Sequence, residues 1–240
     1  MAGGARSAPA QATPPLCLVF TLLVALGLAR PAQAQISGTV GVQSDYRYRG
    51  IPLSSGRPAA TFDLAYDHPS GLYAGVSTIV DGEQGHANFL GDIEYLGYVT
   101  PTRGGLSLDV GLDNQDLSYV GDKRYPLTYS EVYAGVIGAH LSAHLHYSPD
   151  YVRAGYGSLY ADADGSMQPA EHWRLFAHVG STIPVGYLEG RRPRYDARVG
   201  VARQFGPFEL QASLTTTTPD PPPRTPQGRT AVVVGASWFF

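Results

Sequence analysis

The sequence predicts an all-β protein: a transmembrane antiparallel β-barrel of about twelve strands, following a cleaved signal peptide. Three observations carry that expectation. An apolar leader opens the chain, period-2 alternation runs through nearly all of the remainder, and the connections between alternating segments are by turns short and long.

The leader is residues 16–29, LCLVFTLLVALGLA, preceded by Arg6 and followed by Pro31-Ala32-Gln33-Ala34. A basic n-region, an apolar h-region and an A-x-A site are the parts of a secretory signal peptide, with cleavage expected after Ala34. Fourteen apolar residues fall short of the roughly 20 that a spanning helix needs. The expected organisation is therefore 1–34 signal peptide and 35–240 barrel. Cys17, the sole cysteine, leaves with the leader, which excludes disulfide and thiolate-metal frameworks from the exported part. Of the 240 residues, 15% are charged and 43% hydrophobic, with 29 Gly, 16 Tyr and a net charge of −3. Soluble domains carry about 25% charged residues, and without a basic run no nucleic-acid partner is expected.

The strands are expected near 36–49, 59–67, 71–80, 90–100, 105–117, 128–138, 141–148, 155–163, 172–182, 195–205, 207–216 and 229–240. In the first, Val40, Val42, Tyr46 and Tyr48 alternate with Thr39, Gln43, Asp45 and Arg47. The second sets Ala60, Phe62, Leu64 and Tyr66 against Thr61 and Asp63, and 106–113 sets Leu106, Leu108, Val110 and Leu112 against Ser107, Asp109 and Asp113. Segment 141–147 opposes Leu141, Ala143, Leu145 and Tyr147 to Ser142, His144 and His146; 195–203 alternates Tyr195, Ala197, Val199 and Val201 with Asp196, Arg198 and Ala202. The last places Val232, Val234, Ala236, Trp238 and Phe240 on one face.

Alternation alone fits a soluble sandwich as well as a barrel. Four features favour the barrel. Turns at 67–71, 101–105, 138–140 and 205–207 are short, whereas 53–58, 81–89, 183–194 and 217–229 are long, as in barrels with short periplasmic turns and long outer loops. Aromatic residues gather at segment ends: Tyr66, Trp173, Phe208, Trp238 and Phe240 at one edge, Tyr46, Tyr48, Tyr147 and Tyr195 at the other, the pattern of two interfacial girdles. Glycines at 41, 75, 111, 135, 180, 200 and 235 fall mid-strand on the polar face, where they make room for bulky neighbours. The terminal Trp238-Phe239-Phe240 resembles the signal read by the barrel-assembly machinery, an expected partner through Phe240.

Ser44-Asp45-Tyr46-Arg47-Tyr48-Arg49-Gly50-Ile51 with Gly56-Arg57-Pro58-Ala59 resembles the opening of the TorF-family porins of Gram-negative bacteria. Similar to the same family are Gly71-Leu72-Tyr73-Ala74-Gly75-Val76, Asp92-Ile93-Glu94-Tyr95-Leu96-Gly97-Tyr98, Tyr129-Ser130-Glu131-Val132-Tyr133-Ala134-Gly135 and Tyr147-Ser148-Pro149-Asp150-Tyr151. The likeness covers about residues 36–160 and continues more loosely to Phe240; Ser77 stands where a bulky aromatic is expected. The resemblance implies an outer-membrane barrel with a channel role and no catalytic residues.

With the apolar face in lipid, the polar face defines the bore. The expected pore-lining residues are Asp45, Arg47, Arg49, Asp63, Asp92, Glu94, Asp109, Asp113, Glu131, Arg174 and Arg198, joined by Asp162, Asp196 and Glu209. Acids dominate the fourth to sixth strands and arginines the first, ninth and tenth, so opposed charged walls are expected across the bore. Twelve strands lie between the filled eight-strand and open sixteen-strand cases, so a narrow pore and a plugged bore are both allowed.

Ser142, His144 and His146 share a face, but residues two apart lie about 7 Å apart along a strand. No G-x-S-x-G appears, so no enzyme is expected. His144-x-His146, with His178, is the nearest approach to a metal set; without further ligands in pattern, neither metal nor cofactor is assigned. The Pro-rich 219–226 reads as a stiff outer loop, and Arg191, Arg192 and Arg194 suit lipopolysaccharide phosphates. The expected function is a narrow passive channel for small polar or charged solutes in the cell outer membrane. Its alternative is a non-conducting structural or adhesion barrel working through its outer loops.

Overall fold

In the computed structural model, residues 35–83, 86–120, 124–151, 154–186, 192–218 and 230–240 are described. The signal peptide at 1–34, the Pro-rich 219–226 and Arg191 lie outside them. β1 (Gln35–Gln43) is followed by two short strands, β2 (Arg47–Tyr48) and β3 (Ile51–Pro52), which pair only with each other. Then come β4 (Ala59–Asp67), β5 (Leu72–Glu83), β6 (His86–Pro101), β7 (Ser107–Val120), β8 (Arg124–Ile137) and β9 (Leu141–Ser148). The chain finishes with β10 (Ser158–Ala170), β11 (Trp173–Pro184), β12 (Arg194–Phe205), β13 (Phe208–Thr217) and β14 (Thr230–Phe239).

Except for β2 and β3, consecutive strands pair antiparallel, and β1 closes on β14 to make a barrel of twelve strands. The seam registers Val40 with Trp238 and Val42 with Ala236, and Gly38 exchanges both backbone hydrogen bonds with Phe240. Closure leaves no sheet edge, which a lipid-embedded sheet requires. No helix among the described residues is long and apolar enough to cross a membrane; the strands do it instead.

The outward face is apolar around the circumference. Val40, Leu64, Leu96, Val110, Val132, Leu145, Val179, Val199, Leu214 and Val234 are all exposed. A continuous apolar belt of this kind is what a barrel turns to lipid and what a soluble monomer avoids. Trp173, Phe205, Phe208, Trp238 and Phe240 are exposed at the end with short turns, and Tyr147 and Tyr195 at the other.

Inward glycines accommodate aromatic rings from the neighbouring strand. A Cβ at Gly75 would overlap Tyr95, at Gly111 the Tyr133 hydroxyl, and at Gly180 that of Tyr160. These rings project into the bore, and their seats fall on every second residue because only alternate positions face inward.

Three expectations are corrected. The first strand ends at Gln43 rather than 49, because residues 44–58 leave the wall and fold into the bore. Tyr46 and Tyr48 therefore pack inside instead of joining the outer girdle. Residues 164–171, which fall between the expected strands 155–163 and 172–182, are not a turn: β10 continues to Ala170, with a register shift between Met167 and Ala170, and His172 turns the chain at φ 62°.

Candidate functional site: the bore and its inner hairpin

The segment between β1 and β4 is an internal plug at the long-loop end. Its tip is a two-residue hairpin, with Tyr48 paired to Ile51 and Arg49 and Gly50 both at positive φ, 48° and 75°. Positive φ at both central positions defines a type I′ turn. Glycine adopts it freely; an arginine there is conformationally costly and persists where surroundings hold it.

Two sets of contacts hold it. Leu53, fully buried, packs with Ile79, Leu90 and Leu117 of the wall, and Tyr46, Tyr48, Ile51 and Ile93 surround them. At the hairpin's base, Asp45 accepts hydrogen bonds from Ser54 Oγ (3.1 Å) and Gly56 N (2.9 Å) and pairs with Arg47 Nε (2.6 Å). Arg57 ties the segment's far end to Asp81 through its Nε at 3.0 Å.

From the turn, Arg49 reaches across to the opposite wall. Its guanidinium donates to both oxygens of Glu131, at 3.0 and 2.5 Å, and lies 3.9 Å from the Tyr160 ring centroid. Glu131 is fully buried. A charge so desolvated requires a paired and hydrogen-bonded partner, and Arg49 supplies one bidentately.

Below the hairpin, the wall from β7 to β10 carries a lattice of carboxylates, imidazoles and phenols. Tyr73 donates to Asp109 (2.6 Å) and meets the Tyr133 hydroxyl (2.6 Å). His144 Nε2 lies 3.2 Å from Asp109, and His146 places Nδ1 3.3 Å from Asp113 and Nε2 3.3 Å from Asp162. On the next strands His178 lies between Asp164 (2.9 Å) and Asp196 (3.1 Å). Arg174 pairs with Glu209 at 2.5 Å, and Arg198 donates to Ser213 and Gln211. Asp63 accepts from Ser77 at 2.5 Å.

Among the described residues, two cavities of about 460 Å³ lie in the bore, one beneath the hairpin and one toward the short-turn end; both are lined by Asp164, Phe176 and Arg198.

Of the expected pore-lining residues, Asp45, Arg47, Arg49, Asp63, Asp109, Asp113, Glu131, Arg174 and Arg198 face the interior, though Asp45, Arg47 and Arg49 do so from the hairpin rather than the wall. Asp92 and Glu94 do not. On β6 the bore-facing residues are Ile93 and Tyr95. Asp92 registers with Asp116 and Glu94 with Asn114, whose side chains accept from exposed Thr128 and Ser130 on the outer surface. The cause is the apolar packing under the hairpin: Ile93 is drawn inward against the Leu53 cluster, which sends its two acidic neighbours out. The expected opposition of charged walls is likewise bridged by Arg49–Glu131. The inner cluster of Leu53, Ile79, Leu90 and Leu117 was not anticipated; its signal is an apolar residue on the otherwise polar face of three consecutive strands near one end.

Closed, apolar outside and charged within, the chain is a transmembrane β-barrel. It belongs to a family described as a bacterial protein of unknown function (Gcw_chp), whose model matches residues 29–240. No curated protein matches the sequence. Among solved structures it is similar to the KdgM porin (13% identity, TM-score 0.46, covering 86% of this chain and 99% of that one). It is also similar to LpxR from Salmonella typhimurium (11%, 0.46, 85% and 99%) and to an anion-selective porin from Comamonas acidovorans (12%, 0.44, 87% and 99%).

Proposed function

We propose that the protein is a narrow outer-membrane porin of the TorF type, a passive channel for small polar or charged solutes. The observation that carries the reading is the pair of charged cavities that share Asp164, Phe176 and Arg198 inside an apolar-walled barrel. A barrel serving only as an anchor has no need of ionisable groups at its centre, where each must be paired or hydrated. Selection in this reading is by width and charge: the hairpin sets the width, and Asp109, Asp113, Asp162 and Asp196 oppose Arg174 and Arg198. Phe240, paired at the seam, is the group offered to the barrel-assembly machinery. Exposed Arg192 faces lipopolysaccharide phosphates in the same reading, whereas Arg194 turns inward and donates to Thr182 Oγ1 at 3.2 Å; unchanged detergent sensitivity after neutralisation of Arg192 would remove that role.

Planar-bilayer recording of the purified protein tests the channel. Discrete steps with a reversal potential displaced by a salt gradient are expected. A folded, heat-modifiable barrel that stays silent even with residues 45–57 deleted would overturn the reading. It would favour the non-conducting adhesion barrel, to which the Arg49–Glu131 closure already lends itself.

A further inference from the structure

His146, Asp113 and Glu131 place one donor atom each within 4.8 Å of the others, on three adjacent strands of the bore wall. The edges centred on the imidazole are short: Nδ1 to Asp113 Oδ2 is 3.3 Å and Nδ1 to Glu131 Oε2 is 3.7 Å. A tetrahedral ion with bonds of about 2.0–2.1 Å to nitrogen and oxygen separates its donors by about 3.3 Å. The three atoms are thus close to a coordination face before any rearrangement.

Two further observations point to a cation. His146 Nε2 lies 3.3 Å from Asp162, so its N–H is directed to a carboxylate while Nδ1 faces the two acids. That is the relay by which metal-bound imidazoles are oriented and made more basic. Beside it, Gln115 is buried, with its Nε2 on Asp113 and its Oε1 without a hydrogen-bond partner among the described residues. A half-turn of the amide exchanges its nitrogen for that oxygen on the Asp113 side, where it can serve as a fourth donor.

We propose that His146, Asp113 and Glu131 form a binding site for a divalent transition-metal ion, with Zn²⁺ the best match to the donor set, and that the ion replaces Arg49 at Glu131. The Arg49 guanidinium already bonds Glu131 Oε2, the oxygen the ion needs. A divalent ion and the guanidinium would meet at the same carboxylate oxygen, and their repulsion in so buried a place sets metal entry against the Arg49 clasp. An ion at His146 therefore unlatches the inner hairpin. Neither metal binding nor unlatching depends on the protein conducting.

The test uses the protein expressed with its own leader, extracted from membranes in detergent and stripped with chelator. Calorimetric titration with ZnCl₂ is expected to show one saturable site. Asp162→Asn should weaken it by about 10–100-fold, as removal of an orienting partner does. Asp113→Asn and His146→Ala should abolish it, and Arg49→Gln should strengthen it. His178→Ala, which removes a bore histidine paired to a different set of acids, should leave it unchanged; heat-modifiability establishes that each variant is folded. Zn²⁺ should also speed tryptic cleavage after Arg47, Arg49 or Arg57, and Mg²⁺ should not. Absence of saturable binding to the wild type, or equal binding by folded His146→Ala, overturns the site. Binding with no change in hairpin cleavage overturns the exclusion of Arg49.

Discussion

Arg49 and Glu131 stand 82 positions apart in the chain and are joined by two hydrogen bonds inside the barrel. One comes from the tip of a hairpin that hangs from the first strand; the other belongs to β8. The pair spans the bore and makes its narrowing a matter of one ion pair and a small apolar cluster.

Removing one partner should therefore be worse than removing both. Glu131→Gln leaves a buried guanidinium unpaired, a loss of about 3–5 kcal/mol for the docked hairpin. The Arg49→Gln/Glu131→Gln double variant should lose less. Rates of tryptic nicking between residues 44 and 58 in the folded barrel measure the difference, and single-channel conductance should rise in the same order.

The Leu53 cluster predicts a separable effect. Leu53→Ala removes a fully buried side chain from Ile79, Leu90 and Leu117 and should weaken hairpin docking by about 2–5 kcal/mol. The barrel wall does not depend on Leu53, so heat-modifiability and β-sheet circular dichroism should remain those of the wild type while the hairpin becomes protease-sensitive.

Gly111→Ala tests the seating of bore aromatics. Its Cβ would overlap the Tyr133 hydroxyl and the Leu96 carbonyl, an overpacking that costs about 1–3 kcal/mol. Urea unfolding in detergent micelles should show the loss. Adding Tyr133→Phe should recover only the part due to the hydroxyl and leave the parts due to the ring's Cζ and to the backbone.

The outward placement of Asp92 and Glu94 has an electrical consequence. Asp92→Asn/Glu94→Gln should leave the reversal potential under a salt gradient where it is, whereas Asp109→Asn/Asp113→Asn should move it toward weaker cation preference. With Cys17 the only cysteine, a single cysteine at 94 should react from outside the barrel, and one at 95 should not.

How much of this was written in the sequence differs by element. β9 runs Leu141–Ser148, the span its alternation predicts, because Leu141, Ala143 and Leu145 face lipid while Ser142, His144 and His146 face charge. The barrel form and the roles of the inward glycines were legible for the same reason. β6 was not: Ile93 and Tyr95 are apolar yet inward, and a period of two cannot say which face is which when both carry apolar residues. The hairpin was hidden by its own regularity. Asp45-Tyr46-Arg47-Tyr48 alternates like the strand before it, and only the turn at Arg49-Gly50, with its positive φ, sends the chain back. The Asp113–Glu131–His146 grouping depends on register across three strands, which local pattern does not contain.

The plug grows from β1, and β1 is also the strand that meets β14 to complete the circle. The partners of the plug, on β5 to β8 and β10, are made later in the chain than the plug itself. Two routes to the docked hairpin follow: a sheet that curls around residues 44–58 before Gly38 and Phe240 join seats it directly, whereas a finished ring leaves it the mouth as its way in. A chain that closed first and never took that way in would be a ring with its first loop stranded outside, identical in its wall and different in what it admits.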